Sequence, residues 1–352
     1  MAENSSGRIP QLDGLRAIAI SMVLVSHFWT YPANTTALNR LFSSGWLGVD
    51  LFFVLSGYLI TSILLRTRDS ATYFRTFYMR RILRIFPPYY LLLLIVLVLL
   101  PLARPLGGEL AAEQWTFWLF LGNFFLAHGW QMLRIDLTWS LAIEEQFYLV
   151  WPALVRYCNR IGPVCIAICI GLPIVRIALW ESGVGWMWLH LMMPLRADSF
   201  AWGALVALYP RRFEALSLLA IPIGGLCAIK QYDQPLMLVG TIGYSLTAAC
   251  SAGLISLALR DGPFARALSL RPARYLGEVS YGVYLYHPVC LLIVTSVVKF
   301  GHTTTGGIAR IVVLSIVSVG VAALSYRFFE QPILRLKTRL PVARQAPALE
   351  ST

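Results

Sequence analysis

Charge is what this sequence has least of. Asp, Glu, Lys and Arg make up only 13% of its 352 residues, whereas an ordinary soluble domain carries about 25%. Hydrophobic residues reach 58%, and the mean hydropathy is +0.67. A water-soluble surface cannot be covered from so small a polar supply, so a soluble globular domain is excluded. Cysteine is also sparse. Its six occurrences, Cys158, Cys165, Cys169, Cys227, Cys250 and Cys290, fall in or beside apolar runs and form no CxxC pair. That pattern argues against a disulfide framework or a cysteine metal site and reads as core packing. No metal is expected. No internal repeat and no Pro/Ser-rich linker divides the chain, so one domain is expected over residues 1–334, followed by a basic, disordered tail over 335–352.

What is present is a series of separated apolar runs, each about as long as the 20 or so residues that cross a bilayer. Because lipid offers backbone groups no partner, such runs become helices, and the expected fold class is all-α, a polytopic membrane protein. The first run is too long for a signal h-region and ends in HFWTYP without a small-residue cleavage site, so it is expected to be retained. Ten spans are expected, near 9–31, 46–65, 85–102, 138–156, 162–180, 190–209, 214–230, 236–259, 276–299 and 307–329. A shorter apolar stretch, Trp115 to His128, has the length of a re-entrant or interfacial segment. With that segment not crossing, one side of the membrane collects Arg66, Arg68, Arg75, Arg80, Arg81, Arg84, Arg156, Arg160, Arg211, Arg212, Arg260, Arg266, Arg271, Arg274 and the tail with Arg335, Lys337, Arg339 and Arg344. The other side keeps only Arg40, Arg104, Arg134, Lys230 and Lys299. Positive residues accumulate in the cytoplasm, so both termini are expected there, in a cell membrane. The net charge of +12 is accounted for in this way, and nucleic acid is not expected as a partner.

An ionisable side chain inside a span costs roughly 2.5 to 3.5 kcal/mol on insertion scales and therefore points to function. Arg16 and His27 stand in the first run, IPQLDGLRAIAISMVLVSHFWTY. Eleven steps of about 100° and 1.5 Å return them to one helix face roughly 16 Å apart. Counting depth along the spans puts His27, Asp50 of GWLGVDLFFVLSGYLI, Glu144 of WSLAIEEQFYLVWP, and Arg196 and Asp198 of LRADSFAWGAL in one outer layer. A polar pocket around His27 is expected from them, although each charged pair is also ordinary interhelical glue. Histidine suits general base work near neutral pH, and it can also take an acyl group itself as a nucleophile. Glu144 shares a helix face with Ser140 and Tyr148, and it is the residue expected to hold the His27 imidazole in its basic tautomer, as the acid of a triad does.

On the cytoplasmic side, FYMRRILRIFPPYY groups Arg80, Arg81 and Arg84 within little more than one turn, with Arg80 and Arg84 at i and i+4. Guanidinium groups so close repel unless an anion lies between them, and their planar forks suit phosphate. A phosphorylated cofactor or lipid headgroups would satisfy them, and Arg16 extends the cluster inward. In YLGEVSYGVYLYHP, His287 stands near mid-membrane before Pro288, which frees a helix carbonyl. It either lines the pocket or bonds a neighbouring helix.

These segments, together with LTWSLAIEEQFYLVWP and the terminal FFEQP, resemble in order and over roughly residues 9–332 the acyltransferase family 3 of membrane O-acyltransferases. The resemblance implies a bundle of ten helices that transfers an acyl group, often acetyl, from cytoplasmic acyl-CoA to a hydroxyl of an acceptor such as a surface polysaccharide, peptidoglycan, a Nod factor or a macrolide. It implies Arg16 and His27 as the helix-1 pair with His27 essential, Arg80, Arg81 and Arg84 as holders of the CoA phosphates, and Trp139, Ser140 and Glu144 as a further motif. The esterase-like domain that some members carry is absent from this sequence, so acceptor capture is expected to rely on the membrane domain or a partner. The expected function is a membrane O-acyltransferase using acyl-CoA and a carbohydrate or glycoconjugate acceptor, with membrane lipid around it. Its outer-side tryptophans are available to stack on sugars or to form the interfacial belt. The alternatives are acylation of a macrolide-type small molecule, or a transporter or flippase that uses the buried charges as a relay.

Overall fold

The structure is a computed structural model that describes residues 9–30, 36–102, 108–130, 135–229 and 238–336, and it is helical throughout, with no strand among them. The principal helices are α1 (Pro10–Phe28), α2 (Leu47–Arg66), α3 (Tyr73–Leu102), α4 (Thr138–Tyr157), α5 (Ile161–Glu181), α6 (Met193–Leu208), α7 (Ala220–Ile229), α8 (Val239–Ala258), α9 (Arg271–Val297) and α10 (Thr304–Leu334). Each expected span has a helical counterpart. By length and apolar composition, however, only six of the described helices qualify to cross a membrane: α2, α3, α5, α8, α9 and α10. The shortfall has a local cause in each of the others. α1 carries Asp13, Arg16 and His27, α4 carries Glu144, Glu145 and Arg156, α6 has only 16 residues, and α7 only ten after a 3-10 turn over Glu214–Leu219. This is a multi-pass membrane protein. Arg104, Arg134, Lys230 and the tail from residue 337 onward lie outside the described residues.

Residues 115–128 form two short helices, Trp115–Trp118 and Gly122–Ala127, rather than one continuous segment. Between them Phe120 takes a positive φ of 55°, a conformation that side-chain-bearing residues rarely hold without support from their surroundings. The support is visible. The Phe120 ring stacks on Tyr89 at 4.3 Å, and its carbonyl accepts a 3.1 Å hydrogen bond from Gln146 Nε2, which also donates to Asn123 Oδ1 at 2.9 Å. α4 therefore pins this turn against α3.

Close backbone approach sets the bundle. A Cβ on Gly57 of α2 would lie 2.1 Å from the Phe200 carbonyl oxygen of α6, and one on Gly203 would lie 2.0 Å from that of Val54. α1 and α9 meet in the same way, with a Cβ on Gly277 falling 1.8 Å from the Asp13 carbonyl oxygen. Small residues give helices the van der Waals contact that lipid, being as apolar as leucine, does not otherwise drive.

Two buried ion pairs cross these contacts. Arg196 and Asp198 are two residues apart on α6, about 200° around a helix, and so face opposite ways. Arg196 pairs with Asp50 of α2, and Asp198 takes a bidentate pair from Arg176 of α5, at 3.1 and 2.7 Å. All four side chains are essentially inaccessible. Arg176 also donates to the Ser245 hydroxyl at 2.6 Å and, through Nε, to the Thr241 carbonyl at 2.8 Å, while the Arg196 guanidinium lies 3.8 Å over the Tyr244 ring. Asp50, Arg196 and Asp198 thus hold α2, α5, α6 and α8 together instead of forming a pocket around His27. Replacing Asp50 with Leu would strand Arg196 as a buried charge, at a cost of about 3–5 kcal/mol, whereas the Asp50→Leu/Arg196→Met double variant removes both charges and is expected to recover most of the loss. Thermal unfolding in detergent would measure this.

Candidate functional site

α1, α2, α3, α4 and α9 enclose a cavity whose empty volume is about 790 Å³, open solvent included. Its polar wall is made by Arg16, Arg81, Arg84, Ser140 and Glu144, with Ser56, Tyr148, Tyr281 and Tyr284 completing it. Three cations from two helices and one carboxylate from a third therefore face one space. Arg16 is braced by Asp13 one turn earlier, at 3.0 Å. Arg81 lies 5.7 Å from the Tyr148 ring centroid and 5.9 Å from that of Phe77, and its Nε has no hydrogen-bond partner among the described residues. Arg81 and Arg84, at i and i+3, are the pair that lines the cavity. Arg80, expected to act with Arg84 from the i, i+4 face, is not part of this wall. Its Nε too is buried without a partner.

Glu144 sits in that wall with Ser140 and Tyr148, as their shared helix face requires, but it does not meet His27. Its carboxylate accepts hydrogen bonds from the Ser56 and Tyr148 hydroxyls. The imidazole of His27 is instead held by His287 of α9: His27 Nδ1 and His287 Nε2 are 2.7 Å apart and the rings stack at 5.0 Å. The orienting role expected of Glu144 is not made by this geometry, because α9 lies against α1 at the level of His27 and supplies the nearer partner. His27 keeps open surface while His287 is fully buried. His287 in turn has its Nδ1 at 2.8 Å from the Tyr284 carbonyl and 3.2 Å from that of Val283. Tyr284 joins the two places: its ring is 6.0 Å from that of His287, and its hydroxyl, in the cavity wall, lies 2.7 Å from Ser140 Oγ and donates to the Leu137 carbonyl at 2.9 Å.

Trp139 turns away from this wall, packing at 6.2 Å from Phe53 and 4.6 Å from His190. Tyr281, Tyr284 and Ser56 are functional candidates the sequence reading passed over. Tyr281 and Tyr284 stood in the quoted α9 segment at i and i+3, and a tyrosine at helical spacing inside an apolar run is a readable signal. Arg176 was passed over as well, although a lone arginine in IGLPIVRIALW meets the same criterion that singled out Arg16. Among the described residues no group of His, Cys, Asp and Glu is arranged to hold a metal, and Cys165, Cys169, Cys250 and Cys290 are free and buried.

The family model described as an acyltransferase domain, Acyl_transf_3, matches residues 9–327. The chain belongs to this acyltransferase family. YrhL of Bacillus subtilis, provisionally named a peptidoglycan O-acetyltransferase, is 33% identical over 362 residues, which cover 92% of this chain and 55% of that protein. The peptidoglycan O-acetyltransferase OatA of Listeria monocytogenes is 30% identical, over 92% of this chain and 56% of its own. The O-acetyltransferase OatA of Staphylococcus aureus is 27% identical, with 92% and 57% covered. The chain spans about half the length of these relatives. No solved structure matches it.

The cavity wall uses Glu144 as an acceptor for two hydroxyls. Glu144→Ala would leave the Ser56 and Tyr148 hydroxyls without it, costing about 1–3 kcal/mol for each that stays unsatisfied, whereas Glu144→Gln keeps an acceptor oxygen and is expected to cost less. The two unfolding midpoints, compared with the parent's, test this.

Proposed function

We infer that this acyltransferase is a membrane O-acetyltransferase that moves an acetyl group from acyl-CoA to a hydroxyl of a carbohydrate acceptor of the peptidoglycan class. One observation carries the reading: in a chain of this family, a single cavity gathers Arg16, Arg81 and Arg84 with an unpartnered guanidinium nitrogen on Arg81. Those cations suit a phosphorylated donor. Guanidinium forks pair with phosphate oxygens bidentately, and an orphaned buried donor is a place where such an oxygen is accepted at little cost. Arg81 and Arg84 would hold the phosphates and Arg16 would extend the positive lining along α1. What acyl-CoA supplies when bound is an activated thioester.

The remaining chemistry falls to this chain's own residues. His27 takes the proton of the acceptor hydroxyl and afterwards returns it to the leaving sulfur. The acceptor class comes from the names of the relatives. Ten crossings with both termini in the cytoplasm, the arrangement favoured by the arginine distribution, would put the arginine end of the cavity on the cytoplasmic side and His27 toward the outer leaflet. The protein would then acetylate outside the cell from a donor made inside it. A transporter reading needs free charges in a relay, and Asp50, Arg176, Arg196 and Asp198 are instead paired with one another.

Purified protein supplied with acetyl-CoA should release free CoA slowly without acceptor and faster with peptidoglycan fragments. Arg81→Ala/Arg84→Ala is expected to raise the donor KM at least tenfold, with Arg80→Ala having the smaller effect. His27→Ala is expected to bind CoA like the parent but to lose at least a hundredfold in release. If the parent binds CoA no better than an unrelated membrane protein, the acyltransferase donor is not CoA.

A further inference from the structure

α9 carries an unusual pair of neighbours, His287 and Pro288, in the middle of a 27-residue helix. In a helix the N–H of residue i donates to the carbonyl of residue i−4. Pro288 has no N–H, so the carbonyl it leaves without a helix donor is that of Tyr284. This is the carbonyl that His287 Nδ1 approaches at 2.8 Å. The other carbonyl near that nitrogen, Val283 at 3.2 Å, is the helix acceptor of the His287 backbone N–H. A carbonyl oxygen only accepts, so His287 Nδ1 must carry a proton. The ring is fully buried and its hydrogen-bond partners are two carbonyls and one imidazole, with no carboxylate among them. A second proton would place an uncompensated charge there, so Nε2 holds a lone pair. At 2.7 Å from it, His27 Nδ1 must be the donor. A neutral His27 then has its own lone pair on Nε2.

We propose that the His287–Pro288 dipeptide is a tautomer lock for His27: the carbonyl orphaned by Pro288 fixes His287 with Nδ1 protonated, His287 fixes His27 with Nδ1 protonated, and Nε2 of His27 is left as the reacting nitrogen. His287 is a positioning residue, and Pro288 acts through it. The arrangement performs the service an aspartate gives the histidine of a triad, with a backbone carbonyl at the end of the chain in place of a carboxylate. Proton movements balance along it. The acceptor O–H bond breaks as the N–H bond forms at His27 Nε2, the new alkoxide oxygen bonds the acyl carbon as the C–S bond breaks, and the proton on Nε2 passes to the departing sulfur. Throughout, the proton on Nδ1 stays in its hydrogen bond to His287.

This inference rests on His27 being the base, and the test separates the two. In full-length protein labelled with 15N-histidine in detergent, the His27 signals are assigned by their loss in His27→Ala. The neutral His27 ring should show a protonated Nδ1 and a bare Nε2. Pro288→Ala restores an amide donor to the Tyr284 carbonyl, and His287→Ala removes the acceptor. In both, the His27 population should move toward the Nε2-protonated tautomer that free histidine prefers. Acetyl-CoA cleavage should fall at least tenfold in kcat with the donor KM unchanged. His287→Gln, whose amide oxygen can stand where Nε2 stood, should recover part of both readouts. An unchanged His27 spectrum in Pro288→Ala and His287→Ala overturns the lock, whatever happens to activity. Normal turnover in His27→Ala overturns the base assignment while leaving the spectroscopic result to stand on its own. Should His287→Ala fail to fold, Pro288→Ala, which adds only a backbone donor and relieves a helix, still decides.

Discussion

A charge on a membrane-buried helix must find its counter-charge in protein, because lipid offers none. In this molecule that requirement falls on α6, where Arg196 and Asp198 point to opposite sides and are answered by Asp50 of α2 and Arg176 of α5. Neither pair can form unless the helices approach closely, and Gly57 and Gly203 remove the side chains that would keep α2 and α6 apart. Ion pairs and glycines are thus one device. The desolvation of two buried charges is offset only when geometry and further hydrogen bonds are good, and for Arg176 the hydroxyl of Ser245 and the carbonyl of Thr241 complete the set.

With those four charges committed to each other, the ones that remain inside the bundle stand out. Arg16, Arg81, Arg84 and Glu144 face a common cavity. Glu144 is satisfied by the hydroxyls of Ser56 and Tyr148 rather than by a cation of the cavity wall. Arg80 and Arg81 are neighbours in sequence, and of the two Arg81 is the one that lines the cavity.

α9 links this cavity to His27. Tyr281 and Tyr284 stand in the cavity wall, with the Tyr281 hydroxyl tied to the Ile85 carbonyl of α3 at 2.9 Å and that of Tyr284 to the Leu137 carbonyl at the start of α4. One turn further on, the backbone of Tyr284 holds His287 and His287 holds His27. In the proposed reaction the donor cavity and the base are therefore attached to one rigid element, and a proline that looks like a helix defect supplies the free carbonyl the arrangement uses.

Composition and periodicity were enough to establish a multi-pass helical membrane protein, to place Arg16 and His27 on one face of α1, Ser140, Glu144 and Tyr148 on one face of α4, and to mark the arginines of α3, since each of these depends only on helix geometry within a single segment. Motif order was enough for the acyltransferase family. Partnership was not legible. Glu144 was expected to meet His27 while His287 was left to line the pocket or bond a neighbouring helix, and Asp50, Arg196 and Asp198 were grouped around His27 by depth alone, because depth along a span says nothing about azimuth or about which helix packs against which. Close contact of α1 with α9 at Gly277, and of α2 with α6 at Gly57 and Gly203, decided those pairings. The number of crossings was likewise not decided by apolar runs, since α1 and α4 carry polar groups that lower their hydropathy and α6 is only 16 residues long. The sequence by itself determined which side chains are costly enough to need partners; only the tertiary structure decided which partner each one has, because that depends on the rotation and approach of helices distant in the chain.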